Sequence, residues 1–350
     1  NVQRPPYKVC LEFEKDLAVI REIIRNVSDI SQRSVINYFE QHEVLARYNI
    51  EEPPREVGLN KMFLHTAKLS SIQTNEFDSA YPISVELTLT NVCNLKCVYC
   101  SDLDLRERQG MNKSFDSGTL KRLFNDLAKG GTKGVTLEGE PTLYPKFAEI
   151  VTCARQVGLA VGLITNGTVT LPSEILSEFE WIRVSLDASN ETEYKDLKGV
   201  DCFEKVMYNI GHYARHCETV GIGYVVTNQN VSQLEDLVMR LREMNVSYIQ
   251  LRPVVDNEEL YPSNVDLSYL RFYQNQKFGV IIDGMKENAS VGNQGLSCTA
   301  NGITSVISGD GSVYVCGRLN IYDWLKPIGN IIEQDFKDIW LGEERRKQCE

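Results

Sequence analysis

The sequence predicts an α/β protein built on a partial (β/α)6 barrel, with an N-terminal helical extension and a small C-terminal hairpin-plus-helix unit. Three observations carry this reading. Between residues 83 and 251, β-prone apolar runs alternate with runs of helical periodicity, a pattern that implies parallel strands joined by right-handed crossovers. Ahead of that region, residues 1–80 carry helical spacing. Behind it, Gly309-Asp310-Gly311 separates two β-prone runs and signals a hairpin. The chain divides accordingly into 1–80, a barrel over 81–255, a connector over 256–296 and a terminal unit over 297–350.

In the extension, Leu17, Ile20, Ile23 and Ile24, then Val35, Ile36, Phe39, Val44 and Leu45, place apolar groups on one face of two helices, 11–25 and 31–47. Glu51-Glu52-Pro53-Pro54 interrupts that pattern. The barrel starts with a strand over Ile83–Leu89. A helix over Phe115–Ala128 follows, with Asp116 or Ser117 as its N-cap, and then a strand over Gly134–Leu137. The alternation continues through helix Pro145–Val157 and strands Leu159–Thr165 and Trp181–Leu186. Helix Phe203–Cys217, strand Val220–Thr227, helix Val231–Met244 and strand Val246–Leu251 complete six strands. In the connector, Leu267–Lys286 reads as a helix.

With 42% hydrophobic residues among 350, the chain can bury a sizeable core. Its formal charge of −11 repels nucleic acid over most of the surface. Ten cysteines, with neither a secretory leader nor an apolar run of membrane-spanning length, point to a reducing, cytoplasmic setting. The expected partners therefore exclude nucleic acid and membrane.

Cys93, Cys97 and Cys100 form a C-x3-C-x2-C array directly after the first strand. Barrels of this kind place their chemistry on such strand-end loops. Three thiolates are one short of a closed tetrahedral zinc site, whereas a [4Fe–4S] cube held by three cysteines keeps one iron open. Half a zinc ribbon or a buried thiol cluster is the alternative. The spacing, with the aromatic Tyr99 just before the third cysteine, resembles the signature of the radical S-adenosylmethionine (SAM) superfamily.

That resemblance extends to four strand ends. Glu138-Gly139-Glu140-Pro141 is similar to the GGEP motif, which in relatives holds the SAM ammonium. Glu138 replaces the first Gly here. Asn166 ends the third strand, and Ser185 and Asp187 end the fourth, where the family contacts the ribose and carboxylate of SAM. Lys198 stands where many relatives carry an Arg that pairs with the SAM carboxylate; a solvated lysine is the other reading. Arg252, at the end of the sixth strand, is expected to meet SAM or an anionic substrate group, or to form a structural ion pair. The implied chemistry is reductive cleavage of SAM to a 5′-deoxyadenosyl radical that abstracts hydrogen. The electron would come from a reductant such as flavodoxin or ferredoxin.

Cys298 and Cys316 flank the hairpin, and the run that follows resembles the SPASM/twitch extension of this superfamily, which binds auxiliary [4Fe–4S] clusters. Cys349 is the remaining candidate ligand, so either further ligands lie beyond the end of this sequence, or this cluster is absent or open; read without the resemblance, Cys298 and Cys316 are a buried thiol pair. Cys153 and Cys202 are candidates for a hydrogen-donating thiol, which an epimerase needs. The reading that follows is an oxidoreductase or epimerase acting on a small polar metabolite such as a sugar or aminocyclitol. Its alternatives are maturation of a ribosomally made peptide and, in another class, a non-catalytic iron–sulfur electron carrier or sensor.

Overall fold

In the computed structural model the predicted alternation closes into one sheet. The structure describes residues 81–282 and 302–349, except 256, 264, 318 and 323. The expected helices over 11–25 and 31–47, and Cys298, lie outside the described residues.

The strands of the barrel are β1 (Ser84–Thr88), β2 (Gly134–Glu138), β3 (Ala160–Thr165), β4 (Trp181–Ser185), β5 (Val220–Val226) and β6 (Tyr248–Pro253). They lie side by side in chain order, all parallel. The intervening helices are α1 (Leu103–Gln109), α2 (Ser117–Gly130), α3 (Phe147–Gln156), α4 (Ser173–Leu176), α5 (Glu191–Lys198), α6 (Phe203–His216) and α7 (Leu234–Glu243). Asp116 caps α2 by accepting from the Thr119 N–H at 3.0 Å.

Alternation along the strands sorts the two faces of the sheet. On β1, Val85 and Leu87 are wholly buried under the helices, while Ser84, Glu86 and Thr88 are half-buried on the other face. Burial of each such aliphatic side chain stabilises the fold by about 1.5–3 kcal/mol. The second face is concave and more polar: Glu138 of β2, Arg183 and Ser185 of β4, and Gln250 and Arg252 of β6 share it by register. At the N-terminal ends of the strands, Trp181 and Tyr248 fold across this face. They can do so because glycine sits beside each: a Cβ on Gly162 would lie 2.3 Å from the Trp181 ring, and one on Gly221 2.0 Å from the Tyr248 ring. Gly221→Ala should therefore destabilise the fold by about 1–3 kcal/mol through overpacking. A urea melt with an unmoved midpoint would contradict that packing.

Two features differ from the sequence reading. The expected connector helix is instead a short 3-10 turn over Ser268–Tyr273 followed by a strand, β7 (Gly279–Ile282), which adds to β6 in parallel. Asn275 stops the helix: its side-chain oxygen accepts from the N–H groups of Lys277 at 2.7 Å and Phe278 at 2.9 Å, and the β-branched run Val280-Ile281-Ile282 then extends. At the opposite edge, β8 (Thr304–Ile307) pairs in parallel with β1. The hairpin to β9 (Ser312–Tyr314) and the short β10 (Gly329–Asn330) complete a ten-stranded sheet among the described residues. The expected C-terminal helix is α8 (Phe336–Trp340), followed by α9 (Glu343–Cys349). The terminal unit is thus joined edge-on to the first barrel strand. No helix among the described residues is long and apolar enough to cross a membrane.

Candidate active site

The cysteine loop, residues 89–102, leaves β1 and is fixed from both sides. Toward β3, the Asn166 amide donates to the Asn94 side-chain oxygen at 2.8 Å, and the Asn94 amide donates to the Thr168 hydroxyl at 2.9 Å. Toward α5, the N–H groups of Lys96 and Val98 donate to the last helical carbonyls, Lys198 and Leu197, each at 3.0 Å. The loop so caps the C-terminus of a helix whose own carbonyls lack partners. Arg106, buried on α1, donates through Nε to the Asn91 carbonyl at 2.8 Å.

Cys93, Cys97 and Cys100 are half-buried free thiols on this braced loop. Burial pushes the Cys97 thiol up to about 11, opposed by the nearby Lys198 cation, and burial raises Cys100 as well. Thiolates are the ligands of iron–sulfur clusters, so cluster binding must displace the protons of these two groups. The donor chemistry fits, three thiols on one hydrogen-bonded loop, although among the described residues no three such side chains converge as one metal-holding group.

Gly139 turns the chain after β2 at φ +78, with a Cβ at that position 3.0 Å from Thr88. Glu140 then points inward and is buried. Its carboxylate accepts from the Thr142 hydroxyl at 2.5 Å, the Thr165 hydroxyl at 2.8 Å and the Asn166 N–H at 2.7 Å. Burial raises its pKa while these donors hold it down. Glu140 is a tie between the ends of β2 and β3. Pro141 opens a buried 3-10 turn behind it.

Lys198 and Asp187 also differ from expectation. Lys198 is not a solvated lysine: it is buried, forms an ion pair with Asp187 and donates to the Ser185 carbonyl at 3.2 Å. Burial works against its charge, but Asp187, Tyr99 and Cys97 outweigh that and hold the ammonium well above its ordinary pKa. Asp187 sits in a left-handed conformation at φ +58. One of its oxygens takes Lys198 and the other accepts from the Val225 N–H at 2.5 Å, so neither oxygen is left open toward a ribose. The Tyr99 ring lies 5.7 Å from the Lys198 ammonium, and its buried hydroxyl faces Asp187 short of good hydrogen-bond geometry. Tyr99 thereby joins the cysteine loop to the end of β4. Ser185 and Arg252 stay half-buried on the concave face.

Cys316 follows β9, half-buried, and the adjoining Gly317 lies beside Glu86 of β1. Of Cys349 only the helical backbone is described. Cys153 on α3 and Cys202 at the start of α6 pack in the helix layer, away from the concave face, so neither is placed to give a hydrogen atom to a substrate there. Sequence reasoning missed α5, although Asn190 and Glu193 form a variant of the capping box, Asn190 accepting from the Glu193 N–H at 3.0 Å and the Glu193 carboxylate from the Ser189 N–H at 2.8 Å, and Gly199 ends the helix at φ +75. It also passed over Arg183 and Asn94.

A braced loop of three thiols on the first strand of an open parallel barrel, ringed by polar strand ends, defines a protein of the iron–sulfur, cofactor-dependent barrel class. The family model for the radical SAM superfamily matches residues 87–241, and that for the SPASM iron–sulfur cluster-binding domain matches residues 298–349. The chain thus carries a radical SAM domain and a C-terminal SPASM domain. It is 24% identical over 302 residues to the tungsten-containing aldehyde ferredoxin oxidoreductase cofactor-modifying protein of Pyrococcus furiosus, covering 73% of this chain and 80% of that one. It is 29% identical to the PqqA peptide cyclase of Bradyrhizobium diazoefficiens over 48% of this chain and 47% of the relative. In fold it is similar to Streptococcus suis SuiB bound to precursor peptide SuiA, with a TM-score of 0.62 at 17% identity, over 88% of this chain and 78% of that chain.

Proposed function

We propose that the protein is a radical SAM maturase that modifies a peptide. The observation that carries this is the likeness across 88% of the chain to an enzyme held with its precursor peptide, joined by sequence similarity to a peptide cyclase. These likenesses favour a peptide over the sugar or aminocyclitol that the sequence first suggested. Cys93, Cys97 and Cys100 would hold the cluster, and Cys316, Cys298 and Cys349 are the candidates in the SPASM domain. When bound, cluster and SAM supply a one-electron cleavage that yields a hydrogen-abstracting carbon radical.

The chain's own residues bind and orient. Glu138 and the carbonyls of the turn at Gly139 would receive the ammonium of SAM, and the Ser185 hydroxyl would meet its polar groups. The Asp187–Lys198 pair and Tyr99 hold the cysteine loop against β4 and act as positioning residues. The aromatic floor of Trp181 and Tyr248 keeps bulk water from the concave face. Flavodoxin or ferredoxin is the proposed electron donor.

The test is incubation of the reconstituted protein with SAM, a reductant and the short peptides encoded beside its gene, followed by mass spectrometry. A SAM-dependent loss of hydrogen mass or a new cross-link in one peptide is expected. Unchanged peptides, together with oxidation of an aminocyclitol under the same conditions, would overturn the reading.

A further inference from the structure

Arg183 projects from the middle of β4 onto the concave face. It pairs in register with Gly221, and its side chain runs over Gly223, where a Cβ would lie 3.5 Å from the Arg183 Cδ. Its Nη1 donates to the buried Gln250 side-chain oxygen at 3.0 Å. Its Nε–H is buried without an acceptor, and no carboxylate among the described residues pairs with it. Two strand positions beyond Gln250, Arg252 stands on the same face. Among the described strands the acidic side chains that share the face are Glu86 on β1 and Glu138 on β2, with β3 between β2 and β4, and neither forms an ion pair with Arg183.

A guanidinium is held here by one edge and offers the other. The fork it offers, Nε–H with Nη2–H, matches a carboxylate in its plane, and a buried donor left without an acceptor is unfavourable until a ligand supplies one. Glycine at 223 lets the Arg183 side chain lie flat over β5, and the Tyr248 ring covers Gly221 beside it. In a chain of charge −11, a cation kept clear of internal carboxylates inside the barrel marks a place for an anion from outside.

We propose that Arg183, with Gln250 orienting it, is the substrate-anchoring residue of the barrel and takes a carboxylate of the peptide, from an acidic side chain. The inference rests on the peptide reading for the source of the carboxylate, but the anion site itself does not.

The test uses the cluster-loaded, oxidised protein labelled with nitrogen-15 at arginine. Four probes are titrated: acetyl-glutamate N-methylamide for a side-chain carboxylate, acetyl-glutamine for a chain-terminal one, acetyl-glutamine N-methylamide as the neutral control, and inorganic phosphate. The glutamate probe should move the Arg183 Nε–H resonance saturably, and the neutral control should not. Arg183→Gln should weaken binding at least tenfold, and Arg183→Lys, which keeps the charge but not the fork, should retain part of it. Unchanged cluster absorbance in both variants verifies that they fold. Equal shifts from the glutamate probe and the neutral control, no loss in Arg183→Gln, or tighter binding of phosphate or of acetyl-glutamine than of the glutamate probe would each overturn the assignment. The two readings fail separately. Carboxylate binding at Arg183 with no peptide modified would remove the peptide function and leave the site, whereas peptide modification undiminished in Arg183→Gln would remove the site and leave the function.

Discussion

Replacing Cys93, Cys97 and Cys100 together by Ala should abolish SAM cleavage and the electron paramagnetic resonance signal that responds to SAM, while any SPASM-domain cluster remains. The three thiols are half-buried on a loop whose backbone bonds, Lys96 and Val98 to the end of α5 and Asn91 to the Lys113 carbonyl at 2.8 Å, do not involve their side chains. The variant should thus keep its fold. Anaerobic reconstitution with spectra recorded before and after SAM tests this. A triple variant that still cleaves SAM would place the cluster elsewhere.

The second large effect is on stability. Lys198→Met should cost about 3–5 kcal/mol, because it leaves the Asp187 carboxylate buried with its charge uncompensated. Asp187→Asn should cost a similar amount in the opposite sense; Asn tolerates the left-handed backbone at this position, so the loss would be electrostatic and not conformational. The double variant should lose less than the sum of the two, since neither orphaned charge remains. Denaturant unfolding of the four proteins gives the coupling directly. If Lys198→Met unfolded like the parent yet bound SAM far more weakly by calorimetry, the lysine would be a cofactor ligand and not an internal strut.

The elements with local signals were legible in the sequence. The strands of the barrel announce themselves by alternation, α2 by Asp116 and its amphipathic face, and the cluster site by cysteine spacing that needs no tertiary information. The direction of a side chain at a strand end was not legible. Glu140 belongs inside because donors at Thr142, Thr165 and Asn166 converge on it, and only the pairing of β2 with β3 brings them there. Lys198 finds Asp187 eleven residues earlier because α5 folds back over the end of β4, a helix whose capping box was present but unread. Arg183 looks like any charged strand residue until the register with Gly221 and the bond to Gln250 show a guanidinium held by one edge, its Nε–H without an acceptor. In the connector, a helical spacing of apolar residues was overridden by the Asn275 turn and by the chance for β7 to extend the sheet.

The central claim is that this chain performs radical chemistry with SAM and does not merely carry or sense electrons. Its most direct test is to reduce the fully cluster-loaded wild-type protein anaerobically, add SAM and quantify 5′-deoxyadenosine by chromatography. The account predicts 5′-deoxyadenosine that requires the reductant and the intact Cys93, Cys97 and Cys100 loop. A protein with its cluster loaded and reduced that forms none would contradict it.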